Sequence, residues 1–236
     1  DQHPAGWRSM IDLRDVRFAY PRGGFALKVD RLSVSGGQRV CWTGPSGCGK
    51  TTLLHLVAGI YPADSGCVET CGVEVSTLGD AARRDFRIAN VGLVFQDFAL
   101  LDYLSVLDNI LLPYRISRAL RLEAEVRERA KTIATQVGLG TMLGRRPNEL
   151  SQGERQRVAV CRAIITCPKI LLADEPTANL DSRNAMRVLD ALESYVAEQR
   201  ATLVVVSHDR DTISRFTETA EVSEFCGQAH LEKVES

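Results

Sequence analysis

Residues 44–52 read Gly44-Pro45-Ser46-Gly47-Cys48-Gly49-Lys50-Thr51-Thr52 and lie between the strand-like Val40-Cys41-Trp42 and the helix-like Leu53-Leu54-His55-Leu56. A strand that enters a glycine-rich turn and leaves it directly as a helix matches the spacing G-x-x-x-x-G-K-[ST], the signature of a phosphate loop. Glycines let backbone amides crowd inward around an anion, and the following helix adds its unpaired N–H groups and the positive end of its dipole. Lys50 then serves as a point charge between terminal phosphates, and Thr51 as a hydroxyl ligand for Mg²⁺. All nine residues, Gly44, Pro45, Ser46, Gly47, Cys48, Gly49, Lys50, Thr51 and Thr52, are expected to line a nucleotide site.

The flanking pattern fixes the kind of scaffold. Before the loop, Ile11 to Phe18, Phe25 to Val34 and Arg39 to Trp42 read as strands separated by Pro21-Arg22-Gly23-Gly24 and Ser35-Gly36-Gly37. A helix from about Lys50 to Ala58 stops at Gly59, Cys67 to Thr70 and Val73 to Val75 form a hairpin across Cys71-Gly72, and Val91 to Phe95 is a buried strand. From Asp97 to Thr166 the pattern is helical, near Ser105 to Leu112, Leu122 to Val137 and Ser151 to Ile165. Two uninterrupted apolar strands follow, Ile170 to Ala173 and Leu203 to Val206, with a helix near Asn184 to Glu198 between them. Apolar runs without alternation, separated by helices, require a largely parallel sheet covered on both faces. The expected fold is therefore α/β: a P-loop NTPase core with a mostly parallel sheet, an N-terminal antiparallel β subdomain and an inserted helical subdomain. One domain spans 1–236, with the core at about 10–96 and 167–236 and the helical subdomain at about 97–166.

Bulk properties exclude several classes of function. With 29 Lys+Arg against 30 Asp+Glu the net charge is −1, so no broad field draws the chain to nucleic acid or anionic lipid. The longest apolar candidate, Ile88 to Pro113, is broken by Asn90, Gln96, Asp97, Asp102, Asp108 and Asn109, and no direct membrane insertion is expected. Asp1 to Met10 lacks the charged-then-apolar pattern of a secretory leader. Seven scattered cysteines with no C-x-x-C pair read as reduced thiols. Cys48 stands apart because it sits in the phosphate loop, beside Lys50 and a helix N-terminus.

In parallel α/β sheets ligands gather at the carboxyl ends of strands. The strand Ile170 to Ala173 ends in Asp174-Glu175, the strand Leu203 to Val206 ends in Ser207-His208, and the strand Val91 to Phe95 ends in Gln96. Asp174 suits an outer Mg²⁺ role and Glu175 the orientation or deprotonation of a water attacking the γ-phosphate. Leu150-Ser151-Gln152-Gly153-Glu154-Arg155-Gln156 opens a helix, and Ser151 with Glu154 fits a capping box. The same helix start, with the Gly153 amide, also suits phosphate binding. Spacing by itself favours the cap.

These residues in this order resemble the ATP-binding-cassette transporter family, in its nucleotide-binding subunit, over nearly the whole chain. In that family's terms Gly44 to Thr52 looks like Walker A, Gln96 the Q-loop, Leu150 to Gln156 the signature, Asp174 and Glu175 the end of Walker B, Asn179-Leu180-Asp181 the D-loop and His208 the switch histidine. Tyr20 resembles the aromatic that stacks on adenine. The resemblance implies ATP and Mg²⁺ as cofactors, with Thr51, Gln96 and Asp174 around the metal and Glu175, His208, Lys50 and Gln96 as the catalytic set. It also implies an ATP-dependent homodimer in which Ser151, Gln152, Gly153 and Asp181 act in trans on the partner's nucleotide, reversing the preference for a mere cap. Integral membrane permease subunits would be the partners, at the cytoplasmic face of the inner (plasma) membrane. Compared with the usual LSGGQ, Gln152 replaces a Gly and Glu154 replaces the Gln. Val94 to Leu101 and Asn109 to Pro113 look like the lipoprotein-release, macrolide-export and cell-division group of cassettes. Two other readings stand beside this one. A soluble cassette acting on DNA or ribosomes would need a long coiled-coil insert or a second cassette with basic arms. An ATP-gated clamp with little turnover would have no need of Glu175 and His208.

Overall fold

The computed structural model describes residues 9–21, 24–117 and 119–228. Residues 22 and 23 of the expected first turn, and the stretch before residue 9, lie outside them.

Alternation in the first strands produces an antiparallel sheet with one apolar face. β1 (Ser9–Ala19) pairs with β2 (Ala26–Ser35) so that Leu13 meets Leu32, Val16 meets Val29 and Phe18 meets Leu27. β1 also pairs with β4 (Ser65–Thr70), but the register shifts between Arg14 and Arg17, where Asp15 takes a left-handed φ of 51°. This bulge dictates the residue across it. A Cβ on Gly66 would lie 2.3 Å from the Asp15 carbonyl oxygen, so only glycine fits. β4 turns through Cys71 and Gly72, both left-handed, into β5 (Val73–Glu74). With β10 (Cys226–Gln228) on the outer side of β2, the sheet order is β10-β2-β1-β4-β5.

The uninterrupted apolar runs form the second sheet. β3 (Arg39–Thr43), β6 (Val91–Val94), β7 (Ile170–Asp174), β8 (Thr202–Val206) and β9 (Glu218–Glu221) lie in the order β6-β7-β8-β3-β9. Every pairing is parallel. β7 and β8 are buried along their whole length, as strands covered on both faces must be.

Helices cover those faces. α1 (Lys50–Val57) packs between the two sheets with Trp42, Leu53, Leu54 and Val204 in one cluster, and α2 (Asp80–Asn90) adds Phe86 to it. The insert is α3 (Val106–Ile110), α4 (Leu112–Ile116), α5 (Ala124–Gln136) and α6 (Gln152–Ile164). α7 (Ser182–Gln199) lies on the far face of the parallel sheet, followed by α8 (Arg210–Ile213) and α9 (Val222–Phe225). α6 serves two cores at once: Val160, Ala163 and Ile164 pack with α7 and the sheet, while Val158 and Cys161 pack with Val106, Ile110 and Ala134 of the insert. Each Val or Ile among these contributes about 1.5–3 kcal/mol when fully buried. The sheet and the insert are therefore joined along a single rigid helix. Among the described residues no helix is long and apolar enough to cross a membrane.

Candidate active site at the carboxyl rim of the parallel sheet

The loop from β3 to α1 has the backbone that its glycines foretell. Gly44, Gly47 and Gly49 take φ values of 139°, 80° and 105°. A Cβ on Gly49 would come within 2.8 Å of Leu27 and Phe25. Gly49 precedes α1 without any side-chain cap, so the first-turn amides keep their donors turned toward the loop. The Lys50 ammonium donates to the carbonyls of Gly44 (2.7 Å) and Pro45 (3.0 Å) and stands 4.0 Å from the Cys48 sulfur. The hydroxyls of Tyr20 and Thr52 share a hydrogen bond at 3.0 Å. The Tyr20 ring stands edge-on to Phe18 and Tyr61, with centroids 5.0 and 5.6 Å away.

The neighbouring strand ends bring the acids to the same rim. β8 lies between β3 and β7. The ladder runs past the strand ends through Ser207 N–H to the Trp42 carbonyl (3.2 Å) and Glu175 N–H to the Val206 carbonyl (2.9 Å). Glu175 has a left-handed φ of 46°, an uncommon backbone for a residue with a side chain and one that turns its carboxylate out of the strand's alternation. Its Oε1 lies 2.6 Å from Nδ1 of the exposed His208, and its Oε2 accepts from the Ser207 hydroxyl at 3.4 Å. Gln96 is exposed two residues past the end of β6.

Asp174 is buried, at 6% exposure. Burial pushes its carboxyl above the ordinary aspartate value, while hydrogen bonding by Thr51 and the charge of His55 pull the other way. A threonine hydroxyl and one carboxylate are hard oxygen donors of the kind Mg²⁺ takes, and Mg²⁺ usually completes its shell with phosphate and water. No group of three or more His, Cys, Asp or Glu that could hold a metal ion occurs among the described residues. The raised value has a sign. The folded state holds the proton more tightly than the unfolded chain, so the carboxylate's stability penalty grows as pH rises from the ordinary aspartate range through the raised value and is complete above it. Asp174→Asn is expected to raise the melting temperature of nucleotide-free protein at pH 7 by about 3 °C, for about 1 kcal/mol recovered, while abolishing Mg²⁺-dependent hydrolysis. Differential scanning calorimetry with a phosphate-release assay checks both halves.

The other expected segment stands at the start of α6. Ser151 forms the capping box with Glu154: its hydroxyl accepts from the Glu154 amide (3.3 Å), and Glu154 Oε2 accepts from the Ser151 amide (2.7 Å) and hydroxyl (2.9 Å). Those hydrogen bonds from Ser151 hold the Glu154 carboxyl below its ordinary value. The charge of Glu154 is thus spent on the cap, and Gln152 stays exposed. Gly153 is buried against the Asn184 side chain, which a Cβ would approach to 2.5 Å. Asn184 in turn donates to Asp181 Oδ2 (2.6 Å) and accepts from Arg157 (2.7 Å), while Asp181 caps α7 by accepting from the Asn184 amide (2.9 Å). The residue pattern singled out Ser151 and Gly153, and the family resemblance Asp181, but neither singled out Asn184 or Arg157, which join them. The available signal was Asn184 three residues after a capping aspartate.

Comparison with known proteins places this geometry in context. A family model described as "ABC transporter" matches residues 27–178. An uncharacterized ABC transporter ATP-binding protein of Mycobacterium bovis is 41% identical over 84% of this chain, which spans 60% of that relative's length. The lipoprotein-releasing system ATP-binding protein LolD of Geobacter metallireducens is 38% identical over 87% of this chain and 92% of its own. Among solved structures, the dimeric post-hydrolysis state of the ATP-binding cassette MJ0796 bound to ADP and Pi superposes with a TM-score of 0.79, at 30% identity, covering 93% of this chain and 98% of that one.

Proposed function

The chain belongs to the ABC transporter family and carries its ATP-binding domain, and from that premise we propose that it hydrolyses ATP within an ATP-bound homodimer and so drives an integral membrane permease. The observation that supports this most is the meeting of Lys50 and Thr51 with Asp174, Glu175 and His208 at one rim of three adjacent parallel strands. Lys50 exchanges its two carbonyl partners for phosphate oxygens, a swap that keeps the charge solvated by oxygen throughout. Thr51, Asp174 and Gln96 would hold Mg²⁺, which would supply neutralisation of the phosphate charge. Glu175 accepts a proton from the attacking water. His208, steadied at Nδ1 by Glu175, offers Nε2 to the γ-phosphate. Tyr20 presents a π face to adenine.

Ser151, Gln152, Gly153 and Asp181 act across the dimer on the partner's nucleotide, a reading supported by the dimeric ADP–Pi state of the MJ0796 cassette. Loss of phosphate removes the ligand that the two subunits share and reopens them. The permease docks against the insert, where Tyr103 and Ile116 are exposed at 73% and 61% and Asp102 precedes Tyr103. This places the chain peripherally, at the cytoplasmic face of the membrane. The test is phosphate release and ATP-dependent pairing of the purified chain, alone and with the membrane protein that co-purifies with it. Absence of both in both conditions removes the reading.

Cys48 provides an independent probe. Its half-buried sulfur lies inside the loop that phosphate would fill. N-ethylmaleimide is expected to label Cys48 and inhibit hydrolysis, with saturating ATP slowing the labelling about tenfold or more by simple occupancy, since 100 Kd of ligand leaves about 1% of sites free. Site-resolved mass spectrometry separates Cys48 from the exposed Cys167. Equal labelling rates with and without ATP would discard the placement of nucleotide over Cys48.

A further inference from the structure

The segment that follows Gln96 is held in a conformation its own residues disfavour. Phe98 and Ala99 both adopt left-handed backbones, with φ of 57° and 47°, although neither is a glycine. Phe98 N–H donates to the Phe95 carbonyl (3.3 Å) and Ala99 N–H to the Asp97 carbonyl (2.5 Å), two overlapping tight turns of which the first contains Gln96. Two consecutive left-handed residues with side chains persist only where their surroundings compel them. The compelling group is Arg162, in the last turn of α6. One arm of its guanidinium donates to the Phe98 carbonyl at 2.6 Å and the other to the Ala99 carbonyl. Arg162 is half-buried, burial alone pushes its guanidinium down to about 10, and its described acceptors are two backbone carbonyls. A planar fork spans two adjacent carbonyls in a way that an ammonium cannot.

We propose that Arg162 is a positioning residue for Gln96: it clamps residues 98 and 99 to α6, so that the loop bearing Gln96 and the helix beginning at Ser151 move as one body. The proposal rests on the reading of Gln96 as a ligand at the Mg²⁺ and γ-phosphate. It adds a physical link, because Ser151 caps the first turn of α6 and Arg162 lies in the last. A displacement of α6 caused by phosphate at Ser151 arrives at Gln96 of the same subunit without passing through the sheet. The side chains of α6 packed into both cores make that helix stiff enough to transmit it.

The test uses the full chain with Mg²⁺ and ATP, reading kcat, KM, affinity for a fluorescent ATP analogue and hydrogen exchange of residues 95–101. Arg162→Gln is expected to lower kcat tenfold or more, change analogue affinity less than threefold, and raise exchange at residues 98–101. Arg162→Lys, which reaches one carbonyl at a time, should fall between. The discriminating variant is Ala99→Gly, since glycine takes the left-handed backbone freely. Alone it should stay within twofold of wild type, and placed on Arg162→Gln it should recover at least a third of the lost kcat. A role for Arg162 in packing alone would not respond to Ala99→Gly. If Arg162→Gln does not fold, the same comparison is made on Arg162→Lys. Wild-type kcat in the Arg162 variants, or loss without recovery by Ala99→Gly, overturns the clamp. Failure of the wild-type chain to hydrolyse ATP overturns the function instead.

Discussion

Replacing Glu175 by Gln is expected to reduce ATP turnover by about 10²–10⁴-fold, the range for losing a positioned general base, while leaving nucleotide binding intact and accumulating an ATP-bound dimer. The argument starts from geometry. Glu175 is largely enclosed, with a side-chain exposure of 12%, and its two oxygens already face Ser207 and His208. An amide of the same shape can keep those contacts, so the rim should not rearrange. The charge is what disappears. Glu175 stands one residue from Asp174, whose carboxyl is pushed up by burial and, to a smaller degree, by the charge of Glu175. Neutralising Glu175 lowers the repulsion that any γ-phosphate meets at this rim and removes the acceptor for the water's proton. Both changes favour a closed state that cannot progress. Gel filtration with ATP and Mg²⁺ should move the variant to the dimer position and keep it there, whereas wild type returns to monomer as ATP is consumed. A variant that elutes only as monomer counts heavily against nucleotide shared between two subunits.

How much of this was legible beforehand follows from what each element depends on. The phosphate loop, the strands β7 and β8 and the acids at their ends are local: glycine spacing, unbroken apolar runs and the residue just past a strand are visible without neighbours. The insert was legible as helix because Ala124–Gln136 and Gln152–Ile164 carry a helical period. α2 was not anticipated. Asp80–Asn90 mixes six polar or charged residues with three alanines, Phe86 and Ile88, and it buries only Arg83 and Phe86, with Arg83 donating to the Leu78 carbonyl and to Asp80. Its charged and apolar residues do separate at helical spacing, but the apolar face is mostly alanine, and only the docking of Phe86 into the core gives that face weight. β9 and β10 were missed for a similar reason: Glu218–Glu221 has charged ends and earns its place only by pairing with β3. At the site, the capping box at Ser151 is written in adjacent residues, but the Asn184 contact with Gly153 and the Arg162 contact with Phe98 and Ala99 join positions 31, 64 and 63 residues apart. Composition and spacing say nothing about such pairs until the fold supplies them.

Lys50→Ala is expected to remove nucleotide binding almost entirely while leaving the fold standing, and this pair of results separates a binding role from a structural one. In the structure the ammonium makes two hydrogen bonds to carbonyls of its own loop, so its loss has a structural component. That component is small, because the Pro45 contact is exposed and the loop is also shaped by Gly44, Gly47 and Gly49 in left-handed backbones that only need glycine. The melting temperature of nucleotide-free protein should therefore shift little. The ligand-dependent shift should nearly vanish. At 100 times Kd a ligand that binds only the folded state adds about 2.7 kcal/mol, which for a chain of this size corresponds to about 5–10 °C. Removing the point charge between terminal phosphates costs binding at least 100-fold, about 2.7 kcal/mol, which leaves the same ATP concentration at or below its new Kd, where it adds at most about 0.4 kcal/mol, or about 1–2 °C. Lys50→Arg should recover only part of it, because a broad planar fork does not fit a cradle built around a compact ammonium. Scanning fluorimetry across an ATP titration measures all three proteins together. An undiminished ATP shift in Lys50→Ala would take Lys50 out of the site, and with it the reading of residues 44–52 as the phosphate cradle.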